Sequence, residues 1–217
     1  MINDLIIGSA MGISQIVVGH PLDTIKVLIQ NKQKWVGLPI RSYYKGWKYP
    51  LFFSSMFYCT TFPIVERTYK YTNNYWLSGF ISGALLFPIG FIYNVGKIRQ
   101  QTSQKITFNT FYNNYGKTST FFKETISMSV YFGSYTEMKE RGYHPIISGG
   151  MAGLSSWTVC YPLDVIRTRQ IAQNLSFKES VNQKKLWKGY KICALRAMLL
   201  NGINFWVYET TKKFLSD

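Results

Sequence analysis

The sequence predicts an all-α membrane protein, with six transmembrane helices in three pseudo-symmetric two-helix repeats around a central cavity. Three observations carry this expectation: a polar turn recurring at fixed spacing from a glycine pair, charge-free stretches of near-bilayer length, and a second recurring glycine that opens another helix. The copies start about 70 residues apart, a period that marks an internal repeat. They divide the chain into residues 1–70, 71–141 and 142–217. Units this short cannot each bury a core, so the three must share one transmembrane domain.

The first helix of each repeat is justified by its glycines and its turn. Gly8/Gly12 lead to Pro21, Asp23 and Lys26; Gly79/Gly83 lead to Ile92, Asn94 and Lys97; Gly149/Gly153 lead to Pro162, Asp164 and Arg167. Small residues four apart let helices approach closely in lipid. A proline then removes a backbone hydrogen bond and kinks the helix. Acid and base project near the same end, so three copies make a ring of charge. In the second repeat Ile92 stands where the proline belongs, with Pro88 one turn earlier as a displaced kink.

The second helix opens at Tyr44-Lys45-Gly46, Asn114-Tyr115-Gly116 and Trp187-Lys188-Gly189. Twenty residues after each glycine stand Glu66, Thr136 and Glu209, and three further on Tyr69, Lys139 and Lys212. One such pair is an ordinary helix neighbour contact. Repeated at equal offset, it reads as a second ring at the opposite membrane face.

Composition points to lipid. Charged residues are only 16% of the 217, against about 25% in soluble domains, while 47% are hydrophobic. A mean hydropathy of −0.05 is polar for a membrane protein, so the distribution of charge decides. Residues 5–22, 49–65, 71–96 and 142–163 contain no Asp, Glu, Lys or Arg, and each approaches the roughly 20 residues that span a bilayer. The shorter charge-free runs 125–136 and 197–208 complete six spans, their polar groups facing a protein interior.

The net charge of +15 suits nucleic acid, anionic lipid or a cavity for an anionic solute. Basic residues stand just after the apolar stretches (Lys26, Lys32, Lys34; Lys97, Arg99, Lys105; Arg167, Arg169), which favours a membrane partner and no nucleic acid. Cys59, Cys160 and Cys193 are scattered among apolar neighbours and read as buried thiols. His20 and His144 each precede a proline and read as helix-end residues. With no nucleophile–base set, phosphate loop or metal motif, an enzyme is not expected, nor a cofactor or metal. No cleaved presequence is apparent, so targeting is expected to be internal.

These motifs resemble the mitochondrial carrier family. Its pattern is Pro-x-[Asp/Glu]-x-x-[Lys/Arg]-x-[Lys/Arg] on odd helices, aromatic-[Lys/Arg]-Gly before even helices, and [Phe/Tyr]-[Asp/Glu]-x-x-[Lys/Arg] at their far end. Pro21-Asp23-Lys26, Pro162-Asp164-Arg167-Arg169 and Tyr208-Glu209-Lys212 match it. The resemblance implies alternating access to a solute near the midplane, in the inner membrane of mitochondria, or of a host's mitochondria if the gene is viral or parasitic. The Asn, Ile, Lys, Tyr and Phe richness of the chain suits such an A/T-rich source. It further implies a monomer, with cardiolipin-like anionic phospholipid at the matrix side. The links from Gln30 to Gly46 and from Gln101 to Gly116 are shorter than the family's usual loop plus matrix helix.

By the same resemblance the first ring is a matrix gate that pairs Asp23 with Lys97, Asn94 with Arg167, and Asp164 with Lys26. Gln30 and Gln101 brace it. Asn94 takes a carboxylate's slot, so the gate should be weaker than one with three ion pairs. The cytoplasmic gate would pair Glu66 with Lys139, Thr136 with Lys212, and Glu209 with Tyr69. Solute contacts fall seven to eight residues past each recurring glycine, at Phe53, Lys123-Glu124 and Arg196. Arg196 suits a carboxylate or phosphate, or else pairs internally with Glu124. The expected cargo is a small anionic metabolite, a nucleotide or deoxynucleotide first, exchanged across the membrane. The Lys-Glu pair is closer to amino-acid carriers, so an amino acid or carboxylate is the alternative. A non-transporting basic protein bound to membrane or nucleic acid is the alternative of another class.

Overall fold

Pro21 sets the start of the first described helix. In the computed structural model, which describes residues 15–107, 111, 116–197 and 199–200 (the side chains of 15, 53–59, 62, 145 and 146 excepted), a π-helical turn Gln15–Gly19 runs directly into α1, His20–Gln30. Proline has no N–H to offer the carbonyl four residues before it. The Tyr44 hydroxyl donates to that carbonyl, on Val17, at 2.8 Å.

A one-turn helix α2 (Ile40–Tyr43) leads to α3 (Lys48–Thr72), which is joined to α4 (Tyr75–Gln101) by two asparagines. Asn73 ends α3 in the left-handed region (φ 49°), and the Asn74 side-chain oxygen accepts from the N–H groups of Trp76 (2.9 Å) and Leu77 (3.3 Å). Asparagine tolerates the first role and is favoured as an N-cap in the second. Beyond lie α5 (Gly116–Glu140), α6 (Pro145–Gln173), the short α7 (Phe177–Asn182), and α8, helical from 190 to 200 with residue 198 outside the described set.

From α3 to α6 each long helix packs chiefly against the next in chain order, and α1 reaches both α4 and α6. The ends of the three odd helices meet in an apolar cluster of Val27 from α1, Phe91, Val95 and Ile98 from α4, and Ile171 and Ala172 from α6. Val27, Ile98, Ile171 and Ala172 lie beyond the charged turns in sequence, with Phe91 and Val95 beside and within the second, so the turns are held at one level.

Among the described residues only α4 is both long and apolar enough to cross a membrane. Six spans are expected from the sequence, of which the first and last lie partly outside the described residues. Helices α3, α5 and α6 have 25, 25 and 29 residues, ample length at about 1.5 Å per residue. In α5 and α6 polar side chains that point into the protein dilute the apolarity: Ser119, Thr120, Lys123, Glu124 and Thr125 of α5 are all buried, as are Ser148, Ser156 and Asp164 of α6. Across α5 and α6 the Ser127 and Ser156 hydroxyls meet at 2.8 Å.

The glycine pairs behave differently from repeat to repeat. Gly79 and Gly83 lie against the α5 backbone, where a Cβ on Gly83 would come within 2.7 Å of the Glu124 carbonyl and Thr125 Cα. Gly149 and Gly153 face open space among the described residues, contrary to the close approach expected of them, and Gly8 and Gly12 lie outside the described set. The recurring Gly46 and Gly189 adopt φ of +85° and +89°, a region that disfavours any side chain.

Candidate functional site: a buried charge network between the helices

Each odd helix brings its charged turn to a shared level, and the ion pairs there cross between helices. Lys97 of α4 donates to Asp23 of α1 at 2.7 Å, and Lys26 of α1 pairs with Asp164 of α6 at 2.6 Å. Both pairs have the partners that the repeat alignment assigns. The Gln30 amide donates to Asp164 (3.1 Å) and to the Tyr161 hydroxyl (3.3 Å), beside one of these pairs. Gln101 is placed elsewhere: it donates to Thr24 Oγ1 at 3.0 Å, not to a ring residue.

The third side of the ring differs from expectation. Arg167 does not meet Asn94; it pairs with Asp164 on its own helix and with Glu124 of α5 at 3.1 Å. The Asn94 amide donates to the Gly90 carbonyl (2.6 Å) and to Glu124 (3.4 Å). A neutral amide competes poorly with two carboxylates for a guanidinium, since charge-assisted bonds are the stronger. Lys123 also contacts Glu124, at 3.2 Å. Its ammonium sits 5.4 Å from the Trp157 ring centroid, and that of Lys26 sits 4.5 Å from the same ring. One indole thus receives two cations on its face.

Arg196 of α8 pairs with Asp23 at 2.8 Å, so neither internal pairing with Glu124 nor an unpaired cation describes it. Five cationic side chains (Lys26, Lys97, Lys123, Arg167, Arg196) therefore meet three carboxylates (Asp23, Glu124, Asp164). The two clusters differ in access: side-chain exposure is 1% for Asp164 but 21% for Arg196. Phe53's side chain lies outside the described residues.

At the opposite helix ends Glu66 and Lys139 are exposed, and among the described residues no ion pair joins them. Tyr69 stacks on Tyr75 with ring centroids 3.9 Å apart. Thr136 is half-buried, and its expected partner Lys212, like Glu209, lies outside the described residues.

The contacts of two sets of residues escaped sequence reasoning. The residue before each repeat-one and repeat-three proline donates to the lysine carbonyl of its own aromatic-Lys-Gly element: His20 Nε2 to Lys45 (2.9 Å) and the Tyr161 hydroxyl to Lys188 (3.0 Å). The equal repeat offset was visible, but His and Tyr look unrelated as letters. The second set is Arg99 and Arg169, which share a repeat position and anchor the links that follow them. Arg99 donates to the Lys105 carbonyl and to Asn174, while Arg169 donates to the carbonyls of Gln30, Ser180, Lys184 and Lys185.

Helical repeats whose equivalent ends are cross-linked by buried ion pairs suit a membrane solute transporter, and the comparisons with known proteins point to the same class. Residues 139–217 match the family model described as mitochondrial carrier protein. The chain is 26% identical to the mitochondrial arginine transporter of Arabidopsis thaliana, over 98% of this chain and 91% of that protein. It is 26% identical to the mitochondrial basic amino acids transporter of Bos taurus, over 79% and 74% of the two chains. Against a glutamate/glycine mitochondrial carrier of Schizosaccharomyces pombe the identity is 21%, over 98% and 94%. The chain is thus similar to mitochondrial carriers over nearly its whole length, and residues 139–217 carry the match to their family model.

Proposed function

We propose that this carrier moves an amino acid, a basic one first, across the mitochondrial inner membrane by exchange. The observation that carries the reading is the adjacent Lys123 and Glu124 on α5, with Arg196 on α8 at the same repeat offset. An α-carboxylate suits the cations, and an α-ammonium or side-chain cation suits Glu124 and Asp23. The relatives named for arginine, basic amino acids, and glutamate or glycine support this class above the nucleotide that the sequence favours. The excess of cations over carboxylates keeps an anionic solute as the second reading.

In this reading the Asp23–Lys97 and Lys26–Asp164 pairs close the matrix side, as in a cytoplasm-facing state. A cleft of about 830 Å³ lined by Arg41, Lys45, Trp47 and Lys48 is the place for an anionic phospholipid headgroup. The test is uptake into proteoliposomes loaded in turn with arginine, lysine, glutamate, glycine, a dicarboxylate or a nucleotide. Arginine or lysine should exchange fastest. Exchange of nucleotides with none of amino acids would overturn the reading.

A further inference from the structure

The ion pairs at the charged level tie α1 to α4 and α1 to α6, but among the described residues no ion pair runs directly from α4 to α6. Asn94 and Arg167 face each other across that third side, and both bond to Glu124 of α5. A single carboxylate oxygen, Glu124 Oε1, accepts from Asn94 Nδ2 at 3.4 Å, Lys123 Nζ at 3.2 Å and Arg167 Nη1 at 3.1 Å. Donors from three successive helices therefore converge on one atom. The position is tightly fixed, because Gly83 brings α4 onto the α5 backbone at Glu124 and Thr125.

We infer that Glu124 is the missing third acid of the matrix gate, supplied by an even helix, and that it is shared with the substrate. The gate half follows from the geometry above. The substrate half rests on the amino-acid reading: a guanidinium or ammonium entering between the helices competes with Arg167 for the same oxygen. A cation that takes Glu124 releases the link that this carboxylate makes between Asn94 on the α4 side and Arg167 on the α6 side. Binding and gate opening are then one event, and a solute without a cation leaves the gate closed. This makes Glu124 a specificity-determining residue as well as a structural one.

The test relocates the acid. The full chain, Glu124→Gln, Asn94→Asp and the double variant are purified and reconstituted; thermal unfolding midpoints and arginine exchange are measured. Glu124→Gln should lower the midpoint by several degrees and abolish exchange. Adding Asn94→Asp in that background should recover at least half of the lost midpoint, whereas Asn94→Asp alone should raise it much less, because Arg167 already has its acid. The double variant should stay inactive with arginine, since its acid has left α5.

The same midpoint shift for Asn94→Asp in both backgrounds contradicts the gate role, as does a double variant that fails to fold when the single does. Restored arginine exchange in the double variant contradicts sharing while leaving the gate role standing. If the unsubstituted chain exchanges no arginine, the amino-acid reading and the sharing fall together, and the midpoints still decide the gate.

Discussion

Asp164 is the residue on which most of the network converges. It is almost wholly buried and accepts from Lys26, Arg167 and Gln30. Removing one partner of a buried ion pair leaves the other uncompensated, at a cost of about 3–5 kcal/mol. Asp164→Asn should therefore lose about that much stability in detergent unfolding and lose transport, because Lys26 would remain without its acid while Arg167 keeps only Glu124. Tyr161→Phe is the milder counterpart. It removes the bonds to Gln30 and the Lys188 carbonyl, and should cost about 1 kcal/mol by the same measurement. At this scale the sequence was half legible. The pairs Asp23–Lys97 and Lys26–Asp164 followed from the family resemblance, once the repeats had put their members at equivalent positions. The destinations of Arg167 and Arg196 did not, since they depend on which carboxylate a long flexible side chain reaches in three dimensions.

Elements are placed by glycine and by caps. Gly83→Val should destabilise by about 1–3 kcal/mol or more through overpacking against α5, read as a lower unfolding midpoint and a smaller folded yield. Gly46→Ala should cost about 1–2 kcal/mol for a different reason, its positive φ. The link after α6 is ordered by a capping box: the Ser176 hydroxyl accepts from the Glu179 N–H, and Glu179 accepts from the Ser176 N–H at 2.7 Å. Those bonds hold the exposed Glu179 carboxyl below the usual carboxylate range. Its contribution to α7 is thus present above the unfolded-state pKa, about 4.3, and lost as pH falls through the lower folded value. Ser176→Ala should remove this acid sensitivity of α7, followed by hydrogen exchange between pH 3 and 6. The repeat spacing located the odd helices and their turns well. Helix α5 was harder to recognise because its buried polar side chains dilute its hydropathy.

For the whole molecule, threefold repetition explains both what is shared and what departs. Equivalent prolines, recurring glycines and link-anchoring arginines do the same work in two repeats, while the middle repeat departs at Ile92 and Asn94. The sequence marked Asn94 as a gap in the ring. Only the assembled helices show that Glu124, thirty residues later, accepts from both sides of that gap. The cargo was the least legible feature, because the basic chain favours a nucleotide while the Lys-Glu pair is closer to amino-acid carriers. The measurement that bears most directly on the carrier reading is radiolabelled arginine uptake into proteoliposomes with and without arginine inside. The account expects saturable uptake, several-fold faster into arginine-loaded vesicles and absent for Asp164→Asn. Uptake equal to that of protein-free vesicles, or unchanged in Asp164→Asn, would contradict it.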